Sequence, residues 1–93
     1  MKLWTVTSNY AATGEGHTLK AIVAYAPDEL IALKQFEQEF GDFYILGAEA
    51  SEGVNVNDPV LKGLFNLDLL ERIKKIEGQA DVVLTGSMHV NFS

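Results

Sequence analysis

Hydrophobic positions along this chain switch between two periods, and the switches divide it into six segments. From Lys2 to Asn9 the residues alternate, with Trp4 and Val6 on one side and Leu3, Thr5 and Thr7 on the other. Alternation with β-branched and aromatic content predicts a strand. Tyr10 to Gly16 carries two glycines one residue apart, the mark of a tight return. His17 to Tyr25 alternates again, so the first two strands are expected to pair antiparallel.

Pro27 then opens a helix as a first-turn proline, with Ala26 in the cap position and Asp28 and Glu29 near the positive end of the dipole. Its apolar stripe is Leu30, Leu33, Phe36 and Phe40, and Gly41 closes it. Phe43 to Glu52 is a predicted third strand, apolar on both sides at its start, as central strands often are. A loop from Gly53 to Pro59 follows, and Val60 to Phe65 fits either a helical turn or a short strand. Asn66 is placed as an N-cap and Leu67 to Glu77 as a second helix, with Leu70, Ile73 and Ile76 inward beside Leu69. Ala80 to Phe92 alternates to the end. Gly86 interrupts it on the apolar side, which marks a bulge or a close backbone contact.

The order ββαβαβ predicts an α+β domain over residues 1–93: a four-stranded, largely antiparallel sheet with two helices packed on one face. In general architecture the layout resembles ferredoxin-like two-layer domains, which host unrelated activities. The expected core face carries Trp4, Val6, Leu19, Val23, Leu46, Val82, Leu84 and Val90. The opposite, open face carries Leu3, Thr5, Thr7, Lys20, Ile22, Phe43, Ile45, Val83, Thr85, Ser87 and His89.

Composition narrows the function. At 93 residues the chain fits one domain with a stability of about 5–9 kcal/mol. It has no cysteine, which excludes disulfides, zinc–thiolate sites and thiol catalysis. No apolar run is long enough to span a bilayer, and the first residues alternate instead of forming a signal-peptide core, so a cytoplasmic location is expected. The net charge is −6, with Lys74 and Lys75 the one adjacent basic pair. Nucleic-acid binding needs converging cations and is not expected.

Candidate chemistry is sparse. His17 and His89 fall on opposite parities of the expected sheet and cannot share a metal, and no EF-hand spacing exists, so no metal or cofactor is expected. Gly14-Glu15-Gly16 lacks the lysine and following helix of a phosphate loop. No serine sits in a Gly-x-Ser-x-Gly elbow. What remains is surface: Tyr10, Glu15 and His17 at the hairpin, Ile22 and Ile45 as an apolar centre of the open face, and Glu49, Thr85 and His89 as polar neighbours. These residues favour binding over catalysis. The expected role is an acidic interaction module, regulator or inhibitor that binds a protein partner, or itself as a homodimer, through the open face or the 10–16 loop. The alternatives are a small enzyme or ligand-binding domain with a site near His89 at a subunit interface, and an architectural subunit of a larger assembly.

Overall fold

Two long strands form the centre of the protein. β1 (Lys2–Ala12) and β2 (Gly16–Ala26) pair antiparallel over their full length, from Lys2 against Ala26 to Ala12 against Gly16. The computed structural model describes residues 1–12, 16–45, 47–65, 69–80 and 82–91, and describes side chains there except at 9–12, 16, 17, 42, 43, 90 and 91. After β2 come α1 (Glu29–Phe40), a helical turn α2 (Asp42–Ile45), β3 (Ala48–Glu52), α3 (Pro59–Phe65), α4 (Leu69–Ile76) and β4 (Val83–Asn91). The sheet is four-stranded and antiparallel, in the order β3-β1-β2-β4, and the helices pack against it. The protein is therefore of the α+β class, as the alternation of periods predicts.

The helices are divided between the two faces. Residues directly across an antiparallel ladder point to the same side, so Val6, Ile22 and Thr85 share one face, and Thr5, Val23 and Leu84 share the other. On the first, Val6, Ile22, Ala24 and Ala26 are buried with Ala32 and Phe36 of α1. On the second, Ala21 and Val23 are buried with Leu61, Leu64 and Phe65 of α3 and Leu69, Ile73 and Ile76 of α4. Two helices, α3 and α4, do share a face, but α1 lies across the sheet from them. The single core expected from Trp4, Val6, Leu19, Val23 and Leu84 is split accordingly. Trp4 and Val6 pack under α1, whereas Leu19, Val23 and Leu84 pack under α3 and α4. β2 is apolar on both parities, so both of its faces can be covered.

Local differences follow from local chemistry. α1 is capped by Asp28 and not by Ala26: the Asp28 carboxylate accepts the Ile31 N–H at 3.0 Å. Pro27 therefore stands before the cap. Gly41 ends the helix with φ 87°, and its N–H donates to the Glu37 carbonyl. This start of the helix leaves Leu30 71% exposed, off the buried stripe. The apolar run at 43–45 is a helical turn, so β3 begins only at Ala48, and β3 lies at the sheet's edge instead of its middle. Residues 59–65 are helical, capped by Asp58, which accepts the Val60 N–H at 2.9 Å. In α4, Leu69 takes the buried position expected of Leu70, which is exposed. Val82, also expected in the core, precedes the last strand and is exposed. The expected roles of Leu46, Asn66 and Leu67, and of the Val90 side chain, fall outside what is described.

Gly86 marks a close approach. A Cβ there would sit 2.6 Å from the Leu64 carbonyl oxygen and 3.1 Å from the Phe65 ring. β4 and the last turn of α3 thus touch backbone to backbone, which only glycine allows.

Candidate functional site

The diagonal placement of the helices leaves two quarters of the sheet uncovered by them. α1 packs over β1, β2 and β3, while α3 and α4 pack over β2 and β4. On the α1 face the sheet is bare along β4 from Thr85 to His89, while Val83 packs against the α1 core. On the opposite face α3 and α4 leave β1 and β3 to the 53–58 loop, against which Thr5 is buried.

The β4 quarter carries a polar strip without carboxylates. Thr85, Ser87 and His89 are exposed and stand across from Ile22, Lys20 and Thr18 on β2. Thr18 Oγ1 and His89 Nδ1 lie 3.3 Å apart, and the Lys20 ammonium donates to Ser87 Oγ at 3.4 Å. The same ammonium lies 4.9 Å from the centre of the Phe40 ring and 5.0 Å from that of Tyr44. Lys20 therefore runs its stem along the sheet and fixes its charge between the end of α1 and the strip, as long cationic side chains do against aromatic faces. The strip has little charge of its own.

Beside it runs the outer edge of β4. Among the described residues no strand pairs with that edge, so alternate N–H and C=O groups over nine residues point away from the sheet. At ~3.4 Å per residue this edge is about 30 Å long. Its sequence, Val83-Leu84-Thr85-Gly86-Ser87-Met88-His89-Val90-Asn91, holds no Asp, Glu, Lys, Arg or Pro. Its register with β2 runs without a bulge from Gly16–Asn91 to Ala24–Val83. The other edge is different. β3 has five residues and carries Glu49 and Glu52, and Glu52 pairs with Lys2 at 3.0 Å. Short length and charge are the usual guards of a strand edge; β3 has both and β4 has neither.

The β1–β3 quarter is a groove of about 560 Å³ lined by Thr5, Thr7, Ser51, Asn55, Asp58 and Leu61. Its polar groups are largely engaged in holding the 53–58 loop. Thr5 Oγ1 donates to the Gly53 carbonyl at 2.7 Å, Asn55 Oδ1 accepts the Asn57 N–H, and Asp58 caps α3. A smaller hollow of about 310 Å³ lies between α1 and Ile45, beside exposed Leu30.

The candidate residues of the open face and the hairpin are dispersed. Thr85 and His89 lie together on the β4 strip. Ile22 is fully buried beneath α1, and Ile45 is half-buried in the same layer, so they form no open apolar centre. The reason is that the expected open face mixed two parities: Ile22, Thr85 and His89 lie on the side α1 packs against, Thr5 and Thr7 lie on the other, and Ile45 belongs to the α2 turn. Glu49 stands across from Thr7, on the opposite face and at the far edge from His89. Tyr10 and His17 lie on paired backbone at the hairpin, opposite Thr18 and Ala11. Their side chains, and all of Glu15, fall outside what is described. Lys20 and the edge of β4 were not singled out from sequence. The signal available for the edge was the long uncharged run from Val82 to Phe92; its position at the sheet boundary was not encoded locally.

Among the described residues no group of three His, Asp or Glu side chains is placed to hold a metal ion, and no helix is long and apolar enough to cross a membrane. No family model, curated protein or solved structure matches this chain.

Proposed function

We propose that this chain is a small protein-interaction module that docks its partner on β4, by adding a strand to the open edge and covering the Thr85–Ser87–His89 strip. The observation that carries this is the contrast between the two sheet edges: nine uncharged, unbulged residues on one side, five residues guarded by glutamates on the other. An unprotected edge of that length is a template for strand addition. The main-chain hydrogen bonds supply affinity, and the side chains flanking the edge supply selectivity. A cysteine-free chain suits a cytoplasmic module.

A catalytic or ligand-binding role at His89 has less support. The imidazole is exposed, its hydrogen-bonding neighbour is the Thr18 hydroxyl, and among the described residues no carboxylate bonds to it. Catalytic histidines are ordinarily oriented by such a partner.

The test is affinity capture from native lysate with the wild-type chain and a Thr85→Glu/Ser87→Glu variant, each at low and high salt. Both positions are exposed, so the variant keeps its fold, which circular dichroism checks. The module reading expects capture that survives high salt, because the edge is uncharged, and that is lost in the variant. Identical capture by both chains would refute it.

A further inference from the structure

We infer that the partner seated on β4 is a second copy of this chain: two β4 strands pair antiparallel about a twofold axis and join two four-stranded sheets into one of eight. The inference rests on the β4 docking reading above and names its occupant.

Charge argues for self-pairing at this edge. The chain carries 13 acidic and 7 basic residues, so two copies repel over most of their surfaces. β4 is the exception. Residues 83–91 bring no Asp or Glu to the contact, and the Lys20 ammonium beside the strip is drawn back over the Phe40 and Tyr44 rings. Twofold pairing through β3 would instead crowd the glutamates of two short strands, Glu49 and Glu52 from each copy, and like charges close together across a ladder are destabilising.

Geometry argues the same way. A strand edge rotated by a twofold axis meets itself antiparallel, with donors facing acceptors, so β4 is complementary to its own copy without further design. The pairing also closes. Each chain has one unguarded edge, and once two copies have met, the outer edges of the joined sheet are both β3. The same contrast between edges that selects β4 therefore ends the assembly at two. Across the axis, Thr85, Ser87 and His89 of one copy would extend into those of the other as a continuous uncharged strip on the α1 face, where no helix obstructs the approach.

The test is sedimentation of four samples at tens of micromolar: wild type, Thr85→Glu/Ser87→Glu, Thr85→Lys/Ser87→Lys, and an equimolar mixture of the two variants. Self-pairing predicts twice the chain mass of 10.2 kDa for wild type. Each variant alone falls to the single-chain mass, since its introduced charges face their own kind across the axis. The mixture returns to the doubled mass because glutamates then face lysines. A monomeric wild type, a dimer that both variants keep, or a mixture that stays monomeric would each overturn the inference. If wild type is monomeric while Thr85→Glu/Ser87→Glu still abolishes lysate capture, only self-pairing has failed and the docking reading stands.

Discussion

Replacing Gly86 with alanine adds one methyl group at the point where β4 meets α3. That methyl would lie 2.6 Å from the Leu64 carbonyl oxygen, 3.0 Å from its carbon and 3.1 Å from the Phe65 ring. The first two atoms are backbone, so no rotamer change relieves the contact. The last turn of α3 must move away from the sheet, and Leu64 and Phe65, now 6% and 0% exposed, move with it. Overpacking of this kind costs about 1–3 kcal/mol. Removing a strand glycine recovers about 0.5–1 kcal/mol of backbone entropy and propensity. The net expectation is a loss of about 1–2 kcal/mol, or a melting temperature lower by about 5–15 °C for a domain of this size. Gly63→Ala is the matched control. It sits in α3, its nearest neighbour would be the flexible Met88 sulfur at 3.8 Å, and alanine there should stabilise by about 0.5–1 kcal/mol. Urea denaturation of both variants reads the difference. A Gly86→Ala protein at or above wild-type stability would refute the close packing of α3 on β4.

Two further predictions bear on the fold. Asp28→Ala should cost about 1 kcal/mol by removing the carboxylate that caps α1 at the Ile31 N–H, whereas Asp28→Ser should cost much less; thermal melts distinguish the two. Ile22→Val, beneath α1, and Ile73→Val, in α4, should each cost about 0.5–1.5 kcal/mol. Because the sheet separates them, the double variant should lose the sum to within about 0.5 kcal/mol. A larger coupling in a double-mutant cycle would mean a shared core.

The parts of this structure that were legible in the sequence are those set by neighbours in the chain. β1, β2 and their hairpin follow from alternation plus glycine. α1 follows from Leu33, Phe36 and Phe40 at helical spacing, and its end from Gly41, whose positive φ another residue would resist. Gly86 marked a bulge or a close contact, and the unbroken register with β2 makes it the contact. Short apolar runs were less informative. Phe43-Tyr44-Ile45 has the composition of a strand, yet three residues cannot separate period 2 from period 3.6, and the run forms a helical turn. The side of the sheet each helix takes was not legible, because β2 offers apolar residues on both parities. Ile22 and Ala24 on one side and Ala21 and Val23 on the other serve two layers equally well. This choice removed Ile22 and Ile45 from the expected surface and left Thr85 and His89 on it. Strand order is a long-range property, and nothing near residues 83–91 announces that they lie at an edge.

The openness of that edge is best tested by amide hydrogen exchange at single-residue resolution in the Thr85→Glu/Ser87→Glu chain, where self-pairing is switched off. Amides of β1 and β2 should be slow throughout. Along β4 protection should alternate, with those turned toward β2 slow and every second one, turned outward, exchanging close to the rate of free chain. Uniformly slow exchange along β4 would mean that another part of the chain already covers the edge, and docking there would be untenable.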